Sequence, residues 1–206
     1  MIELLVTITI AAIVTTMIIM TWWALQRSYA YSSQSTRAQE TARDCMSRMT
    51  REIRDAQGQG EGQPFAAYPP IQYASANEIR FTTAFNDPGD GSGRILPVRY
   101  WYDSGQGTVS RQRDTNENGT FDEGDRTEIM ARNVVNGQVP SAGDPTALFA
   151  YRYLDASGEM QSASSVQNTG KIRSVQIRII VDLNPGRSPQ YMDLVSSAQP
   201  RNQRQM

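Results

Sequence analysis

The longest hydrophobic run of the chain lies at its N-terminus. Residues 4–25 carry no charge, no proline and no glycine. A helix rises roughly 1.5 Å per residue, so this run is about 33 Å long, enough to cross a bilayer core of roughly 30 Å. Its five threonines can donate their hydroxyl groups to carbonyls of the same helix and so tolerate lipid. Trp22 and Trp23 near its end and Arg27 just beyond are typical of a membrane–water interface. The pattern predicts a membrane-spanning helix over residues 1–25.

A second periodicity follows in residues 26–57, which contain neither glycine nor proline. Charged residues four apart, such as Arg48 and Glu52, are expected on the solvent side of this segment. We therefore expect the N-terminal helix to continue to about Gln57 and to dock on a sheet through its second half. The apolar stripe that would make this contact recurs at spacings of three and four: Ala42, Cys45, Met46, Met49, Ile53 and Ala56.

Beyond Gln57 the pattern changes to short alternating runs between turn residues. Closely spaced glycines from Gly58 onward end the helix. A long helix followed by closely connected strands predicts an α+β fold, with the helix laid across an antiparallel β-sheet. We assign residues 58–198 to a globular β-rich domain and expect a disordered tail over 199–206. Strands are predicted at 78–85, 96–102, 107–113, 127–135, 147–154, 172–181 and 190–196.

One loop, residues 114–125, carries the pattern of a calcium-binding loop. It places side-chain oxygens at positions 1, 3, 5, 9 and 12, a backbone carbonyl at position 7 and glycine at position 6. The last position holds aspartate where the EF-hand has glutamate, as in dockerin-type loops, and no helical pattern flanks the loop. The other interpretation is a solvated turn rich in Asn, Asp and Gly. Calcium is the expected cofactor, and the candidate ligands are Asp114, Asn116, Asn118, Thr120, Asp122 and Asp125.

Composition narrows the function classes. The chain has 206 residues, a net charge of −1 and no histidine. Without imidazole the usual general base and the Ser–His and Cys–His dyads are absent, so we expect no enzyme. The near-zero net charge does not indicate a nucleic-acid partner. The single cysteine, Cys45, lies on the predicted buried helix face, which favours a packed small side chain over a reactive thiol.

Glu3 stands at the start of the apolar run. An acid in the first helical turn at the interface is favoured by the helix dipole, whereas an acid inside hydrocarbon is costly and marks a functional residue. Residues 1–7 read Met-Ile-Glu-Leu-Leu-Val-Thr, which resembles the N-terminal segment of type IV pilins and type II secretion pseudopilins. The resemblance covers the first thirty or so residues. It implies that Glu3 pairs with the N-terminal amine of a neighbouring subunit during assembly.

The same resemblance implies a pilin-like structural subunit, a minor pilin or pseudopilin of a type IV pilus or type II secretion filament. Its partners would be other pilin or pseudopilin subunits, contacted through the N-terminal helix, and the inner membrane. Prepilin peptidase would be a further partner if a leader exists upstream. The leader ending in Gly and the Phe-Thr start that are typical of the family are not in this sequence. The family's methylated N-terminal residue therefore has no counterpart here.

Topology is the point on which charge and resemblance differ. The arginines that follow the apolar run would place the globular domain in the cytoplasm by the positive-inside rule. The resemblance implies a single-pass inner-membrane protein with an extracytoplasmic domain, because pilin-type leaders carry basic residues upstream. The alternative function, from another class, is a signal-anchored extracytoplasmic binding module that recognises a ligand, DNA or a surface.

Overall fold

The computed structural model describes residues 2–57, 69–86, 93–116, 118–138, 147–185 and 190–200. Helix α1 (Ile2–Arg54) opens the chain and packs against antiparallel sheets, which confirms the α+β class. A 3-10 turn (Thr169–Lys171) precedes the eighth strand of the described residues. The strands are β1 (Ile71–Ala74), β2 (Glu78–Asn86), β3 (Gly93–Asp103), β4 (Thr108–Arg113), β5 (Arg126–Ala131), β6 (Phe149–Leu154), β7 (Met160–Ala163), β8 (Ile172–Asp182) and β9 (Tyr191–Ala198).

The chain divides into two compact units, Met1–Arg37 and Ala38–Met206. The described residues of the first unit belong to α1. The second unit contains the rest of α1, all nine strands and every residue of the hydrophobic core. The glycine-rich segment after Gln57 and residues 201–206 of the expected tail lie outside the described residues.

The strands form two antiparallel sheets, whereas the sequence analysis expected one. The first sheet is a meander in the order β1-β2-β3-β4-β5, and the second has the order β7-β6-β8-β9. A short segment after β5 joins them: Val134 bridges Val181, and the Val135 N–H donates to the Ile180 carbonyl at 2.8 Å. Hydrophobic alternation fixes which face of a strand is buried, but it does not fix the partner with which that strand pairs.

The predicted core faces are confirmed by burial. All six residues of the predicted stripe are buried, with at most 8 % exposure at Met46, and five of them belong to α1 while Ala56 follows its end. The alternating apolar residues of β8 are also fully buried. The helix ends at Arg54, earlier than the expected Gln57, because the next residues pair with β2: the Gln57 N–H donates to the Thr82 carbonyl at 2.9 Å.

Glu52 is a correction to the predicted helix pattern. We expected it on the solvent side, paired with Arg48. The pair exists, with Arg48 Nε 3.2 Å from Glu52 Oε1, but Glu52 is only 8 % exposed. Its other oxygen accepts hydrogen bonds from Arg111 Nε of β4 at 3.0 Å and from the Tyr100 hydroxyl of β3 at 2.8 Å. A carboxylate of α1 is therefore buried against the first sheet.

Burial makes this network important for stability. Arg111 is only 2 % exposed, so its guanidinium group depends on protein partners rather than on water. Burial, and then the negative charge of Glu52, raise the pKa of Tyr100 above its ordinary value, which keeps the phenol protonated as a donor. Removing one member of a buried ion pair costs about 3–5 kcal/mol, because the remaining charge loses its compensation. The network thus fixes the rotation of α1 on β3 and β4.

We expect Glu52→Gln to lower the free energy of unfolding of the globular unit by about 3 kcal/mol. The loss should lie at the lower end of the range because Glu128 Oε2 remains 3.8 Å from Arg111 Nη1. Urea denaturation followed by circular dichroism measures the effect. The matched control is Asp193→Asn, which breaks the exposed ion pair with Arg178 and should cost less than about 1 kcal/mol. Equal losses in the two variants would contradict the buried role of Glu52.

Candidate functional site

The N-terminal part of α1 forms the first candidate site. Within the described residues, α1 is the one helix that is long and apolar enough to span a membrane. Its large apolar side chains between Ile2 and Leu25 are 49 to 80 % exposed, so no described part of the chain covers them. Apolar surface of this extent is stable only in lipid or against other apolar surfaces. The segment is consistent with a membrane anchor.

The threonines of this segment satisfy their own hydroxyl groups. Each donates at 2.8 Å to the carbonyl four residues before it, which confirms the expectation from the sequence; the donors are Thr7, Thr9, Thr15, Thr16 and Thr21. No threonine of the span therefore needs a polar partner from outside the helix. Glu3 lies in the first turn of α1 and is exposed, and no residue of the described part forms an ion pair with it.

The loop 114–125 forms the second candidate site. It connects β4 to β5, two neighbouring antiparallel strands, so strands and not helices flank it, as the sequence indicated. Gly119, at position 6, has a φ of 76°, in the left-handed region where a side chain is strained. The turn demanded at this position of a calcium loop is therefore present. Glu117 lies outside the described residues.

The oxygen-bearing side chains of the loop accept hydrogen bonds from loop N–H groups. Asp114 Oδ2 accepts from the Gly119 N–H at 2.8 Å, and Asn118 Oδ1 accepts from the Thr120 N–H at 2.8 Å. Asp125 closes the loop, because its two oxygens accept from the backbone N–H groups of Thr115 at 2.9 Å and Asp122 at 3.0 Å. The ligand side chains expected from the sequence therefore belong to one hydrogen-bonded unit.

Asp122 is bound differently from the other carboxylates. The side-chain amides of Asn118 and Asn116 donate to it at 2.7 and 3.1 Å, and the Gly124 N–H donates at 2.8 Å. These donors, led by Asn118, hold the pKa of Asp122 below its ordinary value. Asp122 is thus a carboxylate that remains ionised at neutral pH and that the loop already neutralises in part.

Two observations test whether the loop fits a metal ion. Among the described residues no group of three His, Cys, Asp or Glu side chains stands close enough to hold one, so any site must include amide and carbonyl ligands. Against this, Asp114 is only 1 % exposed and its Oδ1 atom has no hydrogen-bond partner. A buried acceptor without a partner costs about 1–3 kcal/mol or more. The donor set therefore fits a hard cation in an oxygen-rich loop.

A half-buried Arg–aromatic surface on the outer face of the first sheet was not found from the sequence. The Arg80 guanidinium lies 5.1 Å from the ring centre of Tyr73, and that of Arg99 lies 4.7 Å from the ring centre of Trp101. Glu78 pairs with both arginines. The sequence signal is that these residues alternate with buried residues along β1, β2 and β3, so they lie on the outer face. That signal shows which residues are neighbours only when the strand register is known, and the register pairs Arg80 with Arg99 and Glu78 with Trp101.

No protein-family model and no curated protein matched the chain. The architecture is nevertheless compatible with that of pilins, since a long apolar N-terminal helix packs against antiparallel sheet.

Cys45 is buried in the core, as expected from the helix stripe. Burial raises the pKa of its thiol to about 12, although the charge of Arg48 opposes the shift. At pH 8 only about one thiol in ten thousand is then ionised, and the thiolate is the reactive form. The arrangement is that of a packing residue.

Thiol-reactive dye should therefore label Cys45 only after denaturation. The matched control is Ser47→Cys in a Cys45→Ser background, since Ser47 is exposed two residues further along the same helix. We expect the control to react within minutes in the native protein, at a rate at least a hundredfold above that of Cys45. Similar native rates at the two positions would show that the stripe does not face the core.

Proposed function

We propose that the chain is a structural subunit, a minor pilin or pseudopilin, of a type IV pilus or type II secretion filament assembled from the inner membrane. The observation that carries the proposal is the helix α1 itself. It begins with Glu3, continues as an exposed apolar span, and ends in a stripe buried against antiparallel sheet. The resemblance of residues 1–7 to the start of pilins supplies the family.

The exposed span supports assembly on physical grounds. Large apolar side chains from Ile2 to Leu25 need lipid before assembly and other apolar helices after it. The threonine hydroxyls are satisfied inside the helix and place no polar demand on either environment. The same surface can therefore leave a bilayer and enter a helical core without exposing unpaired polar groups.

Glu3 would supply the specificity that apolar packing lacks. A carboxylate near hydrocarbon is costly alone, and a cation from a neighbouring subunit offsets that cost. In a medium of low dielectric constant, the attraction between opposite charges is worth several kcal/mol. Among the described residues Glu3 has no ion-pair partner of its own, so the neighbouring N-terminal amine is the partner that the resemblance implies.

One observation favours the alternative of a signal-anchored extracytoplasmic binding module. The outer face of the first sheet presents Arg80 and Arg99 with Tyr73 and Trp101. Arginine, tryptophan and tyrosine are the residues most enriched in binding hot spots.

A plain anchor, unlike a filament helix, has no use for an acid at the start of its span.

The filament fraction distinguishes the two functions, and Glu3→Ala tests the role of Glu3 in assembly. For a filament subunit, we expect the variant to insert into the membrane normally but to appear in sheared filaments at about one-tenth of the wild-type level or less, which corresponds to about 1.4 kcal/mol. Immunoblots of membrane and filament fractions measure both quantities. The matched control is Glu40→Ala, which removes an exposed acid from the second half of the same helix and should leave incorporation unchanged. Normal incorporation of Glu3→Ala would contradict the pairing of Glu3 with a neighbouring subunit, whereas absence of the wild-type chain itself from the filament fraction would favour the anchored binding module.

A further inference from the structure

We infer that the loop 114–125 binds one calcium ion. The carboxylates of Asp114, Asp122 and Asp125 do not stand close enough to hold an ion by themselves, so the side-chain oxygens of Asn116 and Asn118 and the Thr120 carbonyl would complete the ligand set. The inference does not depend on the proposed filament function, since it rests on the loop alone.

Asp114 carries the strongest evidence for a ligand. Its side chain points into the loop, because Oδ2 accepts from the Gly119 N–H at 2.8 Å. Its second oxygen, Oδ1, is buried and has no partner in the described structure. Position 1 of a calcium loop requires one free carboxylate oxygen inside the loop. A solvated turn, by contrast, would direct such an oxygen to water.

The charge of the loop also favours a cation. Asp114, Asp122 and Asp125 lie within twelve residues, and no arginine or lysine of the described part forms an ion pair with any of them. Carboxylate, amide and carbonyl oxygens are the ligands that calcium prefers. Structural zinc sites use thiolate and imidazole ligands, but the chain has no histidine and its one cysteine is buried in the core.

The hydrogen bonds of the loop do not consume its capacity to bind an ion. A carboxylate offers about four lone pairs, so an oxygen that accepts one N–H can still coordinate a cation. Each Asp125 oxygen accepts a single backbone N–H, which orients the group at position 12 while leaving a lone pair on each. Gly119 provides the turn between positions 5 and 7. The loop is therefore held in a bent form from which an ion can recruit the remaining ligands.

Calcium binding would stabilise the contacts on the outer face of the first sheet. The Asp122 carbonyl accepts from Gln112 Nε2 of β4 at 2.7 Å. Phe121, the neighbouring residue, packs its ring 5.8 Å from the guanidinium of Arg80 on β2, which in turn covers Tyr73 on β1. An ion that fixes positions 7 to 12 thus also fixes Phe121 against Arg80. Calcium would stabilise the β4–β5 connection and the Arg–aromatic surface together.

The test uses the full chain in detergent micelles, freed of metal with chelator and then titrated with calcium chloride. Calorimetry should show one calcium per chain, with an affinity in the roughly 10⁻⁴–10⁻³ M range of extracellular calcium modules. At about 5 mM calcium the thermal unfolding midpoint of the globular unit should rise by several degrees. The same concentration of magnesium should raise it less, because magnesium demands a rigid octahedral site.

Variants then locate the site. Asp114→Asn keeps the shape of the side chain and should abolish the calcium-dependent rise. Because Asp114 is buried and its variant can fail to fold, Asn116→Ala tests an exposed ligand and should weaken calcium binding at least tenfold. The matched control is Asp155→Asn, in the turn between β6 and β7, where the carboxylate also caps backbone N–H groups but no calcium pattern exists. This control should leave the calcium response unchanged.

Three outcomes would overturn the inference. The first is the absence of calcium heat and of any calcium-dependent shift in the unfolding midpoint. The second is an equal response to magnesium, which would indicate only charge screening. The third is a calcium response that persists in Asn116→Ala and in folded Asp114→Asn, which would place the ion elsewhere in the chain.

Discussion

The packing of one helix face against two sheets is the interaction on which the globular unit depends. Cys45, Met49 and Ile53 are fully buried, and they belong to the same core cluster as the inner residues of both sheets. Without this helix face the inner apolar side chains of the strands would remain exposed. The Thr50 hydroxyl also donates to Ser196 of β9 at 3.1 Å, while Glu52 reaches β3 and β4 of the other sheet. Tertiary packing of this kind supplies most of the stability of a helix in a folded protein.

The α1 stripe and the core faces of β2 and β8 could be predicted because helical and strand periodicities are local. In a strand every second residue is buried, and in a helix the buried residues recur at spacings of three and four, so both patterns can be recognised within the element itself. The position of Glu52 is not local. Its partners Tyr100 and Arg111 lie 48 and 59 residues further along the chain. The four-residue spacing of charges along the helix identifies only Arg48 as a partner of Glu52 and therefore predicts an exposed pair.

The other features that the sequence analysis missed depend on which strands pair with one another. β1 and β7 have four residues each, and most of β7 is exposed, so neither shows an alternation strong enough to detect. The division into two sheets and the Arg–aromatic surface require the register of strands that sequence patterns do not specify. The loop 114–125 is the opposite case, since its candidate ligands all lie within twelve residues. There the sequence predicts the positions, and the structure adds the unpartnered Asp114 Oδ1.

The two candidate sites are governed by different electrostatics. Glu3 begins an apolar segment; in lipid a low dielectric makes a charge costly, and under the proposed function its compensation would come from a neighbouring subunit. The loop carboxylates lie in the globular unit, each of them accepting amide or backbone N–H donors from the loop, and a diffusible ion is sufficient to compensate them. Salt screens exposed charges over about 8–10 Å but screens charges in lipid far less. Ionic strength should therefore weaken the loop site while leaving the Glu3 interaction nearly unchanged, so the two sites are energetically separable.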